Sequence, residues 1–127
     1  MDRSIFLVGI GGFAGSVLRY LVSVAFAAWF VSPIPFATFA VNIAGCFVMG
    51  ILFGLSERTG VLSPEMRALL MAGFCGGFTT FSAFSVESIA LIESKHFLEL
   101  GLYISLSVIL GLAATYAGIL IVRSIAS

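Results

Sequence analysis

Charge is what this sequence lacks most. Only 9% of its 127 residues are Asp, Glu, Lys or Arg, and six basic residues balance six acidic ones to a net charge of zero. A soluble domain carries charge on about a quarter of its residues, so an ordinary water-soluble fold is excluded. Disorder is excluded too, because it needs low hydrophobicity and high net charge, and here 61% of residues are hydrophobic. With no basic excess, there is no electrostatic footprint for nucleic acid. Histidine is equally scarce: His96 stands alone, next to Lys95 and near Glu99 in a polar stretch. No Ser/His/Asp or Cys/His set can be assembled from it, and an enzyme is not expected. Cys46 and Cys75 both lie in apolar sequence and lack the spacing of a metal knuckle or a redox pair. They read as small buried hydrophobes.

Long apolar runs are what the sequence has instead. A spanning helix needs about 20 apolar residues, and four runs meet that length. They cover about 5–31, 36–55, 65–92 and 97–122. The expected architecture is an all-α membrane protein, a single four-helix domain over 1–127. Arg3, an apolar run and Ala14-Gly15-Ser16 imitate a secretory signal, but the run continues to Val31, too far for a cleaved leader. Pro33 and Pro35 stop the first run, since proline cannot continue a helix. Ser63-Pro64-Glu65 opens the third with a cap, an N-terminal proline and an early carboxylate.

The third run does not read as one straight helix. Its middle is Gly73-Phe74-Cys75-Gly76-Gly77-Phe78-Thr79-Thr80-Phe81-Ser82. Glycine costs about 1 kcal/mol per residue in a helix interior, and the hydroxyls that follow compete for backbone hydrogen bonds. A break is expected at about 75–81, near the bilayer midplane. Non-helical backbone at that depth is tolerated only inside protein or along a wet cavity, which marks a functional site. Close helix packing through small residues is the plainer explanation of the glycines.

A few polar residues interrupt the apolar runs. Arg19 is either a functional intramembrane charge or a snorkelling side chain. Asn42 must face protein or water, because an unpaired amide in lipid is costly; it is interhelical glue or a pore donor. Phe81 and Phe84 are three apart, on one helical face, with Phe78 extending the row; ring edges carry positive quadrupole and can face an anion. Tyr103, Ser107 and Thr115 make a stripe at four-residue spacing, with Gly111 at the vacant position. Glu87, the one carboxylate deep in the third run, would serve a proton-coupled exporter as carrier and an anion path only as a protonated or paired bystander. Arg3, Arg58, Arg67 and Arg123 would share one side of the membrane against Lys95 on the other, a weak bias placing both termini inside.

Together these residues resemble a family. Gly76-Gly77-Phe78-Thr79-Thr80-Phe81-Ser82-Ala83-Phe84-Ser85 resembles the signature of the Fluc (CrcB-type) fluoride channels. Gly11-Gly12 with Gly15 and Arg19, and Val41-Asn42 followed by Gly45, resemble the rest of the pattern. The resemblance implies a dual-topology antiparallel homodimer in the cell membrane, with two fluoride pores. It implies a structural sodium ion held by backbone carbonyls, with Gly76 and Thr79 in the matching positions. Phe81 and Phe84 match a phenylalanine box, with Ser82 as a neighbouring donor. Asn42 matches the pore asparagine, Tyr103, Ser107 and Thr115 a polar track, and Arg19 a vestibule arginine. Two positions depart: Gly111 stands where a track serine is frequent, and Ala83 where a hydroxyl is frequent between the phenylalanines.

Fluoride and the lipid bilayer are thus the expected partners, with a second copy of the chain and no nucleic acid. The competing reading is a proton-coupled small multidrug-type exporter using Glu87, although such a protein needs a carboxylate in the first span, where Arg19 stands instead. A structural subunit without transport is the third.

Overall fold

The computed structural model describes residues 2–126 and is all-helical among them. Helix α1 spans Arg3–Trp29, α2 Phe36–Ser56 and α6 Phe97–Ala126. The third run is built in pieces: α3 (Pro64–Arg67), a π-helical stretch Ala68–Cys75, α4 (Gly76–Phe78) and α5 (Phe81–Glu93). Counting the pieces of the third run together, four helical segments are long and apolar enough to cross a membrane.

Local chemistry sets the ends. Asp2 caps α1 by accepting from Ser4 N, and Ser63 caps α3 by accepting from Met66 N. After α5 the chain turns through Lys95 at φ 62°. There Lys95 N donates to Ile92 O and His96 N to Leu91 O, a Schellman closure that glycine usually makes.

Glycines decide which helices meet. Gly11 and Gly15 on α1 are spaced by four and press against the backbone of the third run. A Cβ at Gly15 would strike the Phe74 carbonyl. From the other side, a Cβ on Gly77 would lie 2.6 Å from Gly12 O. Gly50 on α2 sits against the Thr115 backbone, and a Cβ on Gly118 of α6 would lie 2.5 Å from Phe47 O. Membrane helices gain no hydrophobic drive from meeting each other, so such backbone approach through small residues supplies the packing. Two meshed pairs result: α1 with Pro64–Phe78, and α2 with α6.

The core is small: Val41, Cys75, Leu91 and Tyr103 are almost fully buried. Large apolar side chains such as Phe6, Ile10 and Phe13 on α1 remain mostly exposed. Such a surface suits lipid or another protein, not water.

Candidate functional site: the break in the third span

The third span loses its helix at Thr79 and Thr80, which are extended at φ/ψ of −87°/156° and −150°/121°. The π-helical stretch just before it was not expected from the sequence; wide turns of this kind gather at functional positions. A broken backbone exposes polar groups, and Asn42 takes up a pair of them. Its Nδ2 donates to Thr80 O at 3.0 Å, and its Oδ1 accepts from Thr80 N at 2.8 Å. Thr80 Oγ1 then accepts from Ala83 N at 3.1 Å and starts α5. Thr79 Oγ1 bonds back to Cys75 O at 2.9 Å. Asn42 is therefore the clamp of the break, whatever else it does.

Two carbonyls are left over. Thr80 N, the regular donor to Gly76 O in a continuous α-helix, is taken by Asn42. Thr79 O accepts no donor found among the described residues. Gly77 O is different, because Arg19 Nε donates to it at 3.0 Å. Arg19 thus reaches the glycine pair beside the break and is tied to it.

A cavity of about 340 Å³ lies against the break. Asn42, Thr79, Thr80, Phe81 and Phe84 line it from the front, Ser107 and Thr115 from α6, and Cys46, Met49 and Cys75 from the rest of its wall. None of these residues carries a formal charge. Phe81 and Phe84 are paired at 5.6 Å between ring centroids, and Phe81 stands 80% exposed. Phe78 does not extend their row. It ends α4, is buried, and stacks on Phe74 at 5.7 Å; the extended residues between it and Phe81 destroy the helical phase. Ser82 is exposed, within 3.2 Å of Thr80 Oγ1, and is not part of this wall.

The stripe on α6 divides three ways. Tyr103 is buried, stacks on Phe84 at 5.0 Å and donates its hydroxyl to Glu87 Oε2 at 3.1 Å. Glu87 Oε1 accepts from Thr38 Oγ1 at 2.6 Å, so both carboxylate oxygens are engaged. Thr115 Oγ1 donates to Gly111 O at 3.0 Å. Ser107 Oγ is buried and has no hydrogen-bond partner among the described residues. A buried hydroxyl without a partner is costly, and this one is enclosed although Ser107 itself forms part of the cavity wall.

Sequence reasoning did not single out Thr38, and it read Cys46 only as a small buried hydrophobe. The signal was present, since Thr38, Asn42 and Cys46 follow one another at four-residue spacing along one face of α2.

Four apolar spans among the described residues, one of them interrupted beside an uncharged cavity, define a multi-pass membrane protein. A family model described as CrcB-like protein, Camphor Resistance (CrcB) matches residues 6–119, and the chain belongs to that family. A protein of Flavobacterium psychrophilum is 46% identical over 123 residues, covering 97% of this chain and 99% of its own length. One of Chlorobium luteolum is 48% identical over 118 residues, covering 92% and 90%. A third, of Rhizobium etli strain CFN 42, is 48% identical over 120 residues, covering 94% and 95%. All three bear the name fluoride-specific ion channel FluC, the name of a channel and not of an enzyme.

Proposed function

We propose that this protein is a passive, fluoride-selective channel that lets cytoplasmic fluoride leave the cell. The observation that carries the reading is the uncharged cavity at the break, which Asn42, the paired rings of Phe81 and Phe84, and Ser107 line together. Fluoride is small and strongly hydrated, so a path for it must replace water with several weak donors. Conduction also requires binding weak enough for exit. A hydroxyl, the second N–H of Asn42 and two ring edges meet that need, whereas a lysine in the wall would hold the ion. The names of the relatives support the same solute.

The working unit of this reading is an antiparallel, dual-topology homodimer with two pores. The exposed apolar face of α1 supports burial against lipid or a second copy. A sodium ion would sit where the two breaks cross. The carbonyls of Gly76 and Thr79 fit it, because the clamp on Thr80 has stripped the first of its helical donor and the second takes none among the described residues. Hard cations prefer oxygen ligands, and a twofold axis would double the set. Such an ion would supply positive potential between two anion paths. Arg19, bonded to Gly77 O, would add to that potential from the other side of the glycine pair. Glu87 does not favour a proton carrier, since Thr38 and Tyr103 hold both of its oxygens.

The test is efflux from liposomes loaded with fluoride, read by electrode under valinomycin with no pH gradient, and repeated with chloride. Fast fluoride loss with little chloride loss is expected, and Phe81→Ile is expected to suppress it while leaving the protein folded, because that ring is mostly exposed. Absence of fluoride efflux from folded protein would sink the reading.

A further inference from the structure

The polar stripe on α6 has a hole. Tyr103, Ser107 and Thr115 keep a four-residue beat, and Gly111 falls where the remaining hydroxyl belongs. Ser107 and Thr115 line the cavity on either side of that hole. Gly111 itself is buried and offers only backbone, and its carbonyl already accepts from Thr115 Oγ1 at 3.0 Å. The Thr115 proton is thereby directed along the helix and away from the cavity.

What faces the hole is a thiol. A Cβ built on Gly111 would have Cys46 Sγ as its nearest neighbour, at 3.6 Å, and Ile43 Cδ1 next at 3.9 Å. Cys46 comes from α2, one turn beyond Asn42 on the same face, and it lines the same cavity. It is a free cysteine. Of the two cysteines expected to be buried, Cys75 is 1% exposed, whereas Cys46 is only part-buried on the cavity wall.

We infer that the Cys46 thiol, supplied from α2, takes the place of the missing hydroxyl at Gly111 and is the polar group of the anion path between Ser107 and Thr115. This rests on the fluoride-channel reading and names a residue that acts in it. The exchange is chemically consistent. An S–H group is a weak donor and tolerates an apolar wall better than a hydroxyl. It therefore costs little when no ion is present, and still turns a proton toward an anion that arrives without its water. The glycine is its steric counterpart, leaving the opposite helix bare at the place the sulfur faces.

The geometry also supplies the test, because 3.6 Å and 3.9 Å are ordinary van der Waals separations. A serine side chain can therefore begin at position 111 without moving its neighbours. Fluoride efflux from liposomes is measured for the wild type, Cys46→Ser, Cys46→Ala and the double variant Cys46→Ala/Gly111→Ser. Cys46→Ser is expected to conduct at least as fast as wild type, and Cys46→Ala about tenfold more slowly, the effect of about 1.4 kcal/mol. The double variant is expected to recover most of the loss by donating from α6 instead of α2. A merely structural role for Cys46 would not be rescued by a hydroxyl on another helix. Wild-type flux in Cys46→Ala, or no recovery in the double variant, overturns the inference. Should the alanine variant fail to fold, Cys46→Val is compared with Cys46→Ser, and equal flux in the two overturns it. A wild-type protein that conducts no fluoride strikes the channel reading itself, a failure distinguishable because it precedes any substitution.

Discussion

The two halves of the third span are held in place by different physics. The half before the break, Pro64–Phe78, is locked by shape: Gly73 and Gly77 mesh with Gly11 and Gly12 of α1, and Gly15 with the backbone of Phe74 and Phe78. The half after it, α5, is held by polar pairs at a few points. Asn42 grips its start, and Thr38 and Tyr103 hold Glu87 about two turns further on. Close packing fixes position without directing chemistry, whereas hydrogen bonds fix position and leave the remaining valences of the same groups to face a solute. The cavity lies on the second kind of wall, at the point where the first kind ends.

Substitutions can separate the two kinds of hold. The largest effect is expected from Gly15→Val, which forces a branched side chain into the Phe74 carbonyl. Overpacking costs about 1–3 kcal/mol when side chains can yield, and here the obstacle is backbone. Loss of the folded species in detergent, seen by gel filtration, is the expected result, and a normally folded variant would mean that the glycine mesh is dispensable. Next comes Asn42→Leu, which leaves both Thr80 N and Thr80 O without their partner. Leaving buried polar groups unsatisfied costs about 1–3 kcal/mol each, so the thermal midpoint in detergent should drop clearly while α1 and the first half of the span stay packed. An unchanged midpoint would show that water replaces the clamp without loss. The smallest effect is a gain. Lys95 adopts φ 62° in a loop outside the membrane, a conformation that glycine takes without strain. Lys95→Gly is expected to stabilise the turn by about 1 kcal/mol, read as a modest rise in the same midpoint; a fall would place the lysine side chain in a role of its own.

Much of this was legible in the residues. The glycine run followed by Thr79-Thr80 announced a break, because glycine weakens a helix and threonine offers its backbone other partners. Asn42 announced a buried amide in need of a partner. What the residues could not tell was who the partner would be, since Asn42 and Thr80 are 38 positions apart. The phenylalanine row illustrates the same limit. Phe78, Phe81 and Phe84 share a face only if the helix continues, and the break that the sequence itself signalled removes Phe78 from it. Glu87 was visible as an isolated carboxylate, but its engagement by Thr38 and Tyr103 depends on three helices meeting.

The sequence by itself determined the solvent this protein lives in, the number of its spans and the place where one of them gives way. Those follow from composition and short-range pattern, which act through apolar length and local backbone preference. Tertiary structure alone decided which groups remain free at the break. That is a question of pairing across space: Asn42 consumes the Thr80 backbone, Thr115 consumes the Gly111 carbonyl, and Ser107 Oγ is left without a partner among the described residues, in a wall that Cys46 also lines. No periodicity in the chain records those pairings, because each joins residues that only helix packing brings together.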